Sequence, residues 1–330
     1  QRCLQCGICA ECLECVYACG VDAIDHEMLA QEQQVRVGAV ILAPGFQAYH
    51  AELSEEFGFG HYANVITSLQ YERLLSASGP TEGHILRPSD GITPKRIAFL
   101  QCIGSRDQSH DYCSSVCCMY ATKEAIMTKE HHPDMDIHVF MMDLRAFSKG
   151  YWAYFDRARD RYGVQYHHCR VSAVHEDPVT GNLLLHHFDE TGTCLEADFD
   201  LVVLSVGMEI SESVRDLGAR LGVRLDDFGF CHTVGFDPVE TSRAGIYAAG
   251  PFREPKDIPE SVVEASGAAA SAAGHLADAR FSLTKVREFP DEIDVRDLPV
   301  RTGVFVCHCG SNIGGYLDCL LYTSPSPRDS

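Results

Sequence analysis

Two stretches decide the fold: Gly38-Ala-Val-Ile-Leu-Ala-Pro-Gly45 and Thr241-Ser-Arg-Ala-Gly-Ile-Tyr-Ala-Ala-Gly250. Each is a short apolar run that ends on a glycine, as a buried strand does when it enters a tight turn. The first predicts a strand over Val35–Ala43, the second a strand over Gly245–Ala249. Between them, Arg96–Leu100, Ile137–Met142, Val164–Cys169 and Leu201–Val206 read as further strands. Helical spacing marks Ser114–Lys129 and Trp152–Tyr162, and also residues 64–77 through Val65, Leu69, Leu74 and Leu75. Val171–Glu176 and Leu183–Phe188 flank Thr180-Gly181-Asn182 as a hairpin, and Ser261–Ala279 is an alanine-rich helix able to approach a sheet closely. Apolar strands alternating with helices predict an α/β fold whose parallel sheets are covered on both faces.

The composition narrows the function. The chain has 330 residues, with 27 Lys plus Arg against 47 Asp plus Glu and a formal net charge of −20. Such a surface repels phosphate backbones, which argues against nucleic acid as a ligand. Apolar runs such as Ala39–Ala43 and Leu201–Leu204 are far shorter than the roughly 20 residues of a membrane helix. The sequence opens at Gln1 inside a cysteine motif and is expected to be an internal fragment. Cys319–Ser330 resembles a translated sequencing-adapter peptide, so Cys319 is given no role.

Sixteen cysteines carry the chemistry. Their clustering in an acidic chain without a secretory signal points to metal–sulfur sites in a reducing, cytoplasmic setting. Cys9-x2-Cys12-x2-Cys15-x3-Cys19 has the bacterial ferredoxin spacing for a [4Fe–4S] cluster, three thiolates from a tight loop and a fourth from the following turn. Cys3 and Cys6 extend the same rhythm, so the register is open, and Gly20 stands where proline is usual. A second set, Cys102 with Cys113, Cys117 and Cys118, joins a strand end to a helix start. Adjacent Cys117 and Cys118 are an awkward geometry for zinc, and a vicinal disulfide or a redox dithiol is the alternative there.

The two strand–turn signatures together resemble the flavin domain of the thioredoxin-reductase-like family, in which a nucleotide-type domain is inserted. The dinucleotide fingerprint of that fold is replaced here by Arg96-Ile-Ala-Phe-Leu-Gln-Cys-Ile-Gly-Ser-Arg106. That segment, with Tyr112-Cys-Ser-Ser-Val-Cys-Cys-Met119, Arg145-Ala-Phe-Ser-Lys-Gly150 and Pro255-Lys-Asp-Ile-Pro259, resembles the A subunit of heterodisulfide reductase over residues 1–318. This family comprises electron-transfer proteins carrying flavin and iron–sulfur clusters.

The resemblance implies a two-lobed flavoprotein core preceded by a ferredoxin-like segment. Residues 1–26 would end that segment, 27–95 and 208–285 would form an incomplete FAD domain, and 96–207 the inserted NAD-type domain. A linker, 286–301, would lead to a further module at 302–318, before the tail at 319–330. It implies [4Fe–4S] ligands at Cys102, Cys113, Cys117 and Cys118, and FAD beside Pro44, Gly45, Gly250, Lys256, Asp257, Ile258 and Pro259. The Ser261 helix would offer its free N-terminal N–H groups to the reduced flavin. Pro251 stands where simple reductases carry an aspartate for the ribityl chain. The implied partners are other subunits of a heterodisulfide-reductase-like complex and ferredoxin or hydrogenase-type electron carriers. Because the first strand and glycine turn of the FAD domain would precede Gln1, the chain alone is expected to hold FAD poorly. Cys307, His308 and Cys309 resemble the start of a second amino-terminal module, and the paired histidines, among them His167-His168 and His186-His187, read as solvated. Two other functions compete: an NAD(P)H-dependent disulfide oxidoreductase using Cys117 and Cys118, and a zinc-stabilised interaction module.

Overall fold

The computed structural model describes residues 14–21, 23–188 and 191–303. Cys9 and Cys12 lie outside these residues, as do Cys3, Cys6, Cys307, His308 and Cys309. The chain divides into two compact units, one holding residues 33–280 and the other, among described residues, 14–32 and 281–303.

The smaller unit contains a single turn of helix, α1 (Glu14–Tyr17). Cys15 Sγ lies 3.3 Å from His26 Nε2, and Cys19 Sγ accepts the Ala23 N–H at 3.3 Å. Its residues 285–303 are exposed and carry no helix or strand.

The larger unit is built on strands β1 (Val40–Leu42), β2 (Gln47–Ala48), β3 (Val65–Thr67), β4 (Arg96–Ile103), β5 (Asp136–Met141) and β6 (Gln165–His168). These continue as β7 (Ala173–Glu176), β8 (Leu183–Phe188), β9 (Cys194–Phe199), β10 (Leu201–Val206), β11 (Met208–Glu209), β12 (Thr233–Val234), β13 (Asp237–Thr241) and β14 (Ile246–Ala248). Its helices are α2 (Ser68–Leu75), α3 (Cys117–His131), α4 (Tyr151–Asp156), α5 (Glu212–Leu221) and α6 (Ile258–His275).

A five-stranded, wholly parallel sheet runs in the order β3-β10-β4-β5-β6. All six residues of β10 are buried, as a strand covered on both faces requires. Period-two alternation divides its neighbours between the two faces. Leu201, Val203, Ile97 and Phe99 pack with Tyr71 of α2 and with Ala121, Ala125 and Ile126 of α3. Val202, Leu204, Ala98 and Leu100 face Val174, Leu183, Leu185 and Phe199 of the antiparallel sheet β7-β8-β9.

The two signatures that opened the sequence are neighbours in a second sheet, β1-β14-β13-β12, where Leu42 pairs in parallel with Ala248. Ala268 and Ala272 of α6 pack on this sheet against Val239, Tyr247 and Ala249. Small side chains there let the helix sit close.

Several expectations are corrected. Only Val40–Leu42 of the first run is a strand, and Val35 and Val37 are exposed. Residues 64–77 are not one helix: Val65 and Ile66 pair with Val202 and Val203, and the helix begins after Thr67. A capping box sets that start, Thr67 Oγ1 accepting from Gln70 N while Gln70 Oε1 accepts from Thr67 N. β9, α5 and the β12–β13 hairpin were not anticipated. His187 is buried and His167 half-buried, against the solvated reading. Among the described residues, no helix is long and apolar enough to cross a membrane.

Candidate metal and cofactor site

Strand β4 delivers Cys102 at the carboxyl end of the parallel sheet, the end where open α/β sheets hold their ligands. Its backbone there is left-handed, with φ of +63°. Arg106 (φ +57°) and Ser115 (φ +63°) share that conformation, so three of the five non-glycine residues with positive φ among those described fall between Cys102 and Ser115. Strain of this kind persists only where surrounding contacts impose it, and it gathers at functional sites. Gly104 is required at φ +67°, because a Cβ there would come within 2.0 Å of the Tyr49 ring.

Hydrogen bonds fix the loop that follows. Ser105 Oγ donates to Tyr112 O at 2.9 Å and accepts the Ser114 N–H at 3.0 Å, and Ser114 Oγ accepts from Met208 N at 3.0 Å. Cys113 therefore stands beside the end of β10, and Cys117 and Cys118 open α3. The Cys117 thiol donates to Val206 O at 3.8 Å and the Cys118 thiol to Asp143 O at 3.7 Å. Cys102, Cys113, Cys117 and Cys118 are near enough to feel one another's charge. Burial pushes Cys102 up, eased by the Arg106 guanidinium, pushes Cys117 far up, and pushes Cys118 up to about 11. No disulfide occurs among the described cysteines, and no group of three or more His, Cys, Asp or Glu among the described residues is placed so as to hold a metal ion.

Cys113 also lines a cleft of about 760 Å³, and this cleft gathers part of the predicted flavin set: Lys256, Asp257 and Pro259. Its walls include the rings of Tyr112, Phe147, Tyr151, Phe228 and Phe230. Tyr112 packs edge-on against Phe228 and Phe230, with centroids 5.0 and 5.2 Å away. The volume suits a drug-sized ligand, and aromatic walls with a few convergent polar groups are the usual lining of such a site. Sequence reading missed Phe228 and Phe230; only the Asp226-Asp-Phe-Gly-Phe230 turn, with aromatics two apart, hinted at them.

Lys256 is 4% exposed and pairs with Glu264 and, at 3.5 Å, with Glu254, while Arg253 reaches Glu264 at 3.1 Å. Asp257 caps α6: its Oδ1 accepts from Glu260 N at 2.9 Å, and Glu260 Oε2 accepts from Asp257 N at 3.1 Å. Its Oδ2 accepts the Ser148 and Tyr151 hydroxyls, each at 2.9 Å. Burial pushes this carboxyl up, but those donors outweigh burial and hold it below the ordinary range. The expectation of free N–H groups at this helix start is thus corrected. The Glu260 N–H is taken by a carboxylate, and the buried positive charge in the cleft belongs to Lys256.

The remaining predicted residues lie apart from this cleft's lining. Pro44 and Gly45 follow β1, where Gly45 adopts φ +80° with open space around it. Gly250, after β14, is buried at φ +72° and donates its N–H to Glu264 Oε2 at 3.0 Å. Ile258 is 80% exposed. Cys15 and Cys19 sit in the smaller unit, Cys15 exposed and Cys19 half-buried.

No protein-family model matches the chain. The iron–sulfur A subunit of the CoB–CoM heterodisulfide reductase of Methanocaldococcus jannaschii is 40% identical over 297 residues, 88% of this chain and 44% of that protein. The A subunit of an H2/formate:CoB–CoM heterodisulfide,ferredoxin reductase from Methanococcus maripaludis is 41% identical over 276 residues, 82% of this chain and 42% of that protein. Among solved structures, a thioredoxin reductase from T. acidophilum aligns with a TM-score of 0.46 and 17% identity over 72% of this chain and 65% of its own. The first two relatives are subunits of oxidoreductases. By sequence this chain belongs to the A-subunit family of heterodisulfide reductases, and it spans less than half the length of the relatives it matches.

Proposed function

We propose that this chain is an electron-transfer portion of a heterodisulfide-reductase-like complex, with FAD in the cleft and [4Fe–4S] clusters at two cysteine sets. Cys102, Cys113, Cys117 and Cys118 would hold one cluster, and Cys9, Cys12, Cys15 and Cys19 the other. The observation that carries the reading is that Cys113 shares one cleft with Lys256 and Asp257. A thiol ligand and a buried cation thereby border the same aromatic-walled space.

The donor set fits a cluster. Four thiols are supplied by the end of β4, the loop after it and the start of α3, and metal binding would displace the protons that burial now keeps on Cys117 and Cys118. The same burial counts against the dithiol alternative, because thiol–disulfide exchange needs an accessible thiolate. The cleft has room for a flavin ring: the rings of Tyr112, Phe147, Tyr151 and Phe228 supply flat apolar walls, and Lys256, paired with Glu254 and Glu264, borders it. When bound, flavin exchanges electrons in pairs and iron–sulfur clusters exchange them singly. Asp257, tied to Ser148 and Tyr151, holds the 145–151 segment against the start of α6 and so keeps one wall in position. On this reading residues 27–95 and 208–285 form the flavin-domain part and 96–207 the inserted domain. The terminal donor and acceptor belong to partner subunits or to ferredoxin-type carriers.

Lumiflavin, the bare ring system, tests the cleft. Its fluorescence should be quenched saturably by the chain. Val263→Trp, which fills the cleft from an exposed position of α6, should abolish that quenching without lowering the melting temperature. Absence of saturable quenching, or quenching indifferent to Val263→Trp, would remove the flavin from this site.

A further inference from the structure

His110 lies on the loop between Cys102 and Cys113, and both of its ring nitrogens face carboxylates. Nδ1 is 3.1 Å from Asp107 Oδ1 on its own loop, and Nε2 is 2.8 Å from Glu209 Oε1 on β11. The ring also packs edge-on against Tyr49, at 5.3 Å, and Tyr112, at 6.0 Å. The imidazole is therefore a cross-brace. On one side is the loop carrying the first two thiols of the set, and on the other the strand that follows β10. Asp107 is further anchored by the N–H groups of Ser109 and His110.

We propose that His110 is a positioning residue that holds Cys102 and Cys113 in register as metal ligands, an inference that rests on the cluster reading above. Through Asp107 on one side and Glu209 on the other, its ring ties the loop to β11. Asp107 and Glu209 are the charged groups in contact, with the Tyr49 and Tyr112 rings against the faces. Glu56, Arg106, Asp111 and Arg170 surround the same cavity of about 780 Å³, which also reaches Cys102. Arg106 is itself paired with Asp143, so it does not neutralise the two carboxylates in place of the histidine.

Two measurements on this chain decide it. Hydrogen–deuterium exchange of residues 104–113 is compared between His110→Phe and the unaltered chain at one pH. The variant should exchange about three- to tenfold faster. Glu209→Gln should stay protected, because an amide accepts from a ring N–H or donates to a bare ring nitrogen. Equal exchange in His110→Phe and the unaltered chain overturns the brace. In the second arm, iron loss to a chelator after anaerobic reconstitution should be faster in His110→Phe than in the unaltered chain. A lost brace with equal iron loss in both chains overturns the link to the ligands. An unaltered chain that takes up no iron overturns the cluster reading and with it the ligand role, while the exchange arm still decides the brace.

Discussion

His167 sits in a stack of rings, parallel to His138 with centroids 5.0 Å apart and 4.7 Å from Phe140. Its Nε2 meets His138 Nδ1 at 2.8 Å, and His138 Nε2 meets Asp136 Oδ2 at 2.9 Å. Burial, with the neighbouring His138 and His187, lowers the pKa of His167 from 6.5 to about 4, against a smaller opposing pull from Asp136. The folded chain thus refuses a proton that the unfolded chain accepts. Stability is complete above the ordinary value near 6.5 and is lost as the pH falls from there toward about 4. His167→Phe should flatten the decline of melting temperature across that window, and an undiminished decline would show that acid sensitivity arises elsewhere. None of this was legible in the sequence, where adjacent histidines look solvated. Alternation along β6 and β8 turns His167 and His187 toward Phe140, a contact made only once β5, β6 and β8 assemble. Cysteine spacing, by contrast, is local and is read directly from the sequence.

Helix α3 carries both Cys117 and Cys118 and an anomaly. Glu124 is 2% exposed, and its Oε2 has no hydrogen-bond partner. Burial first, then the Glu72 charge, raise its pKa well above the carboxylate range, with Lys123 opposing. The folded state therefore keeps this proton. The contribution to stability is present below the ordinary carboxylate value and is lost as the pH rises above it. Glu124→Gln, which imitates the neutral acid, should stabilise the chain at pH 8 by about 1–3 kcal/mol in chemical denaturation. A destabilised variant would mean that the charged form is wanted at this position. Elements were legible where a strand was continuously apolar, as in β10, or a helix small-faced, as in α6. Their ends were not. α3 begins at Cys117 rather than Ser114 because Ser115 adopts a left-handed backbone, and α2 begins late because the capping box at Thr67 fixes it. α5 was hidden by its charged, half-exposed sequence, although Ser211 caps its start and Gly222, at φ +67°, ends it.

Across the whole chain, the parallel sheets and the pairing of the two opening signatures followed from apolar runs ending in glycine. The cleft did not. Its walls come from residues 112–115, 147–151, 226–230 and 254–264, which only the packing of the second sheet and α6 brings together. Sequence similarity identifies the family, and of the four cysteines Cys113 lines this cleft. Everything proposed for the site depends on these four cysteines holding a cluster. Iron and acid-labile sulfide should be counted after anaerobic reconstitution, in the unaltered chain and in a variant with serine at positions 102, 113, 117 and 118. The variant should lack about four irons and an equal amount of sulfide. Equal iron in the two chains, or zinc in place of iron in the unaltered one, would contradict the cluster.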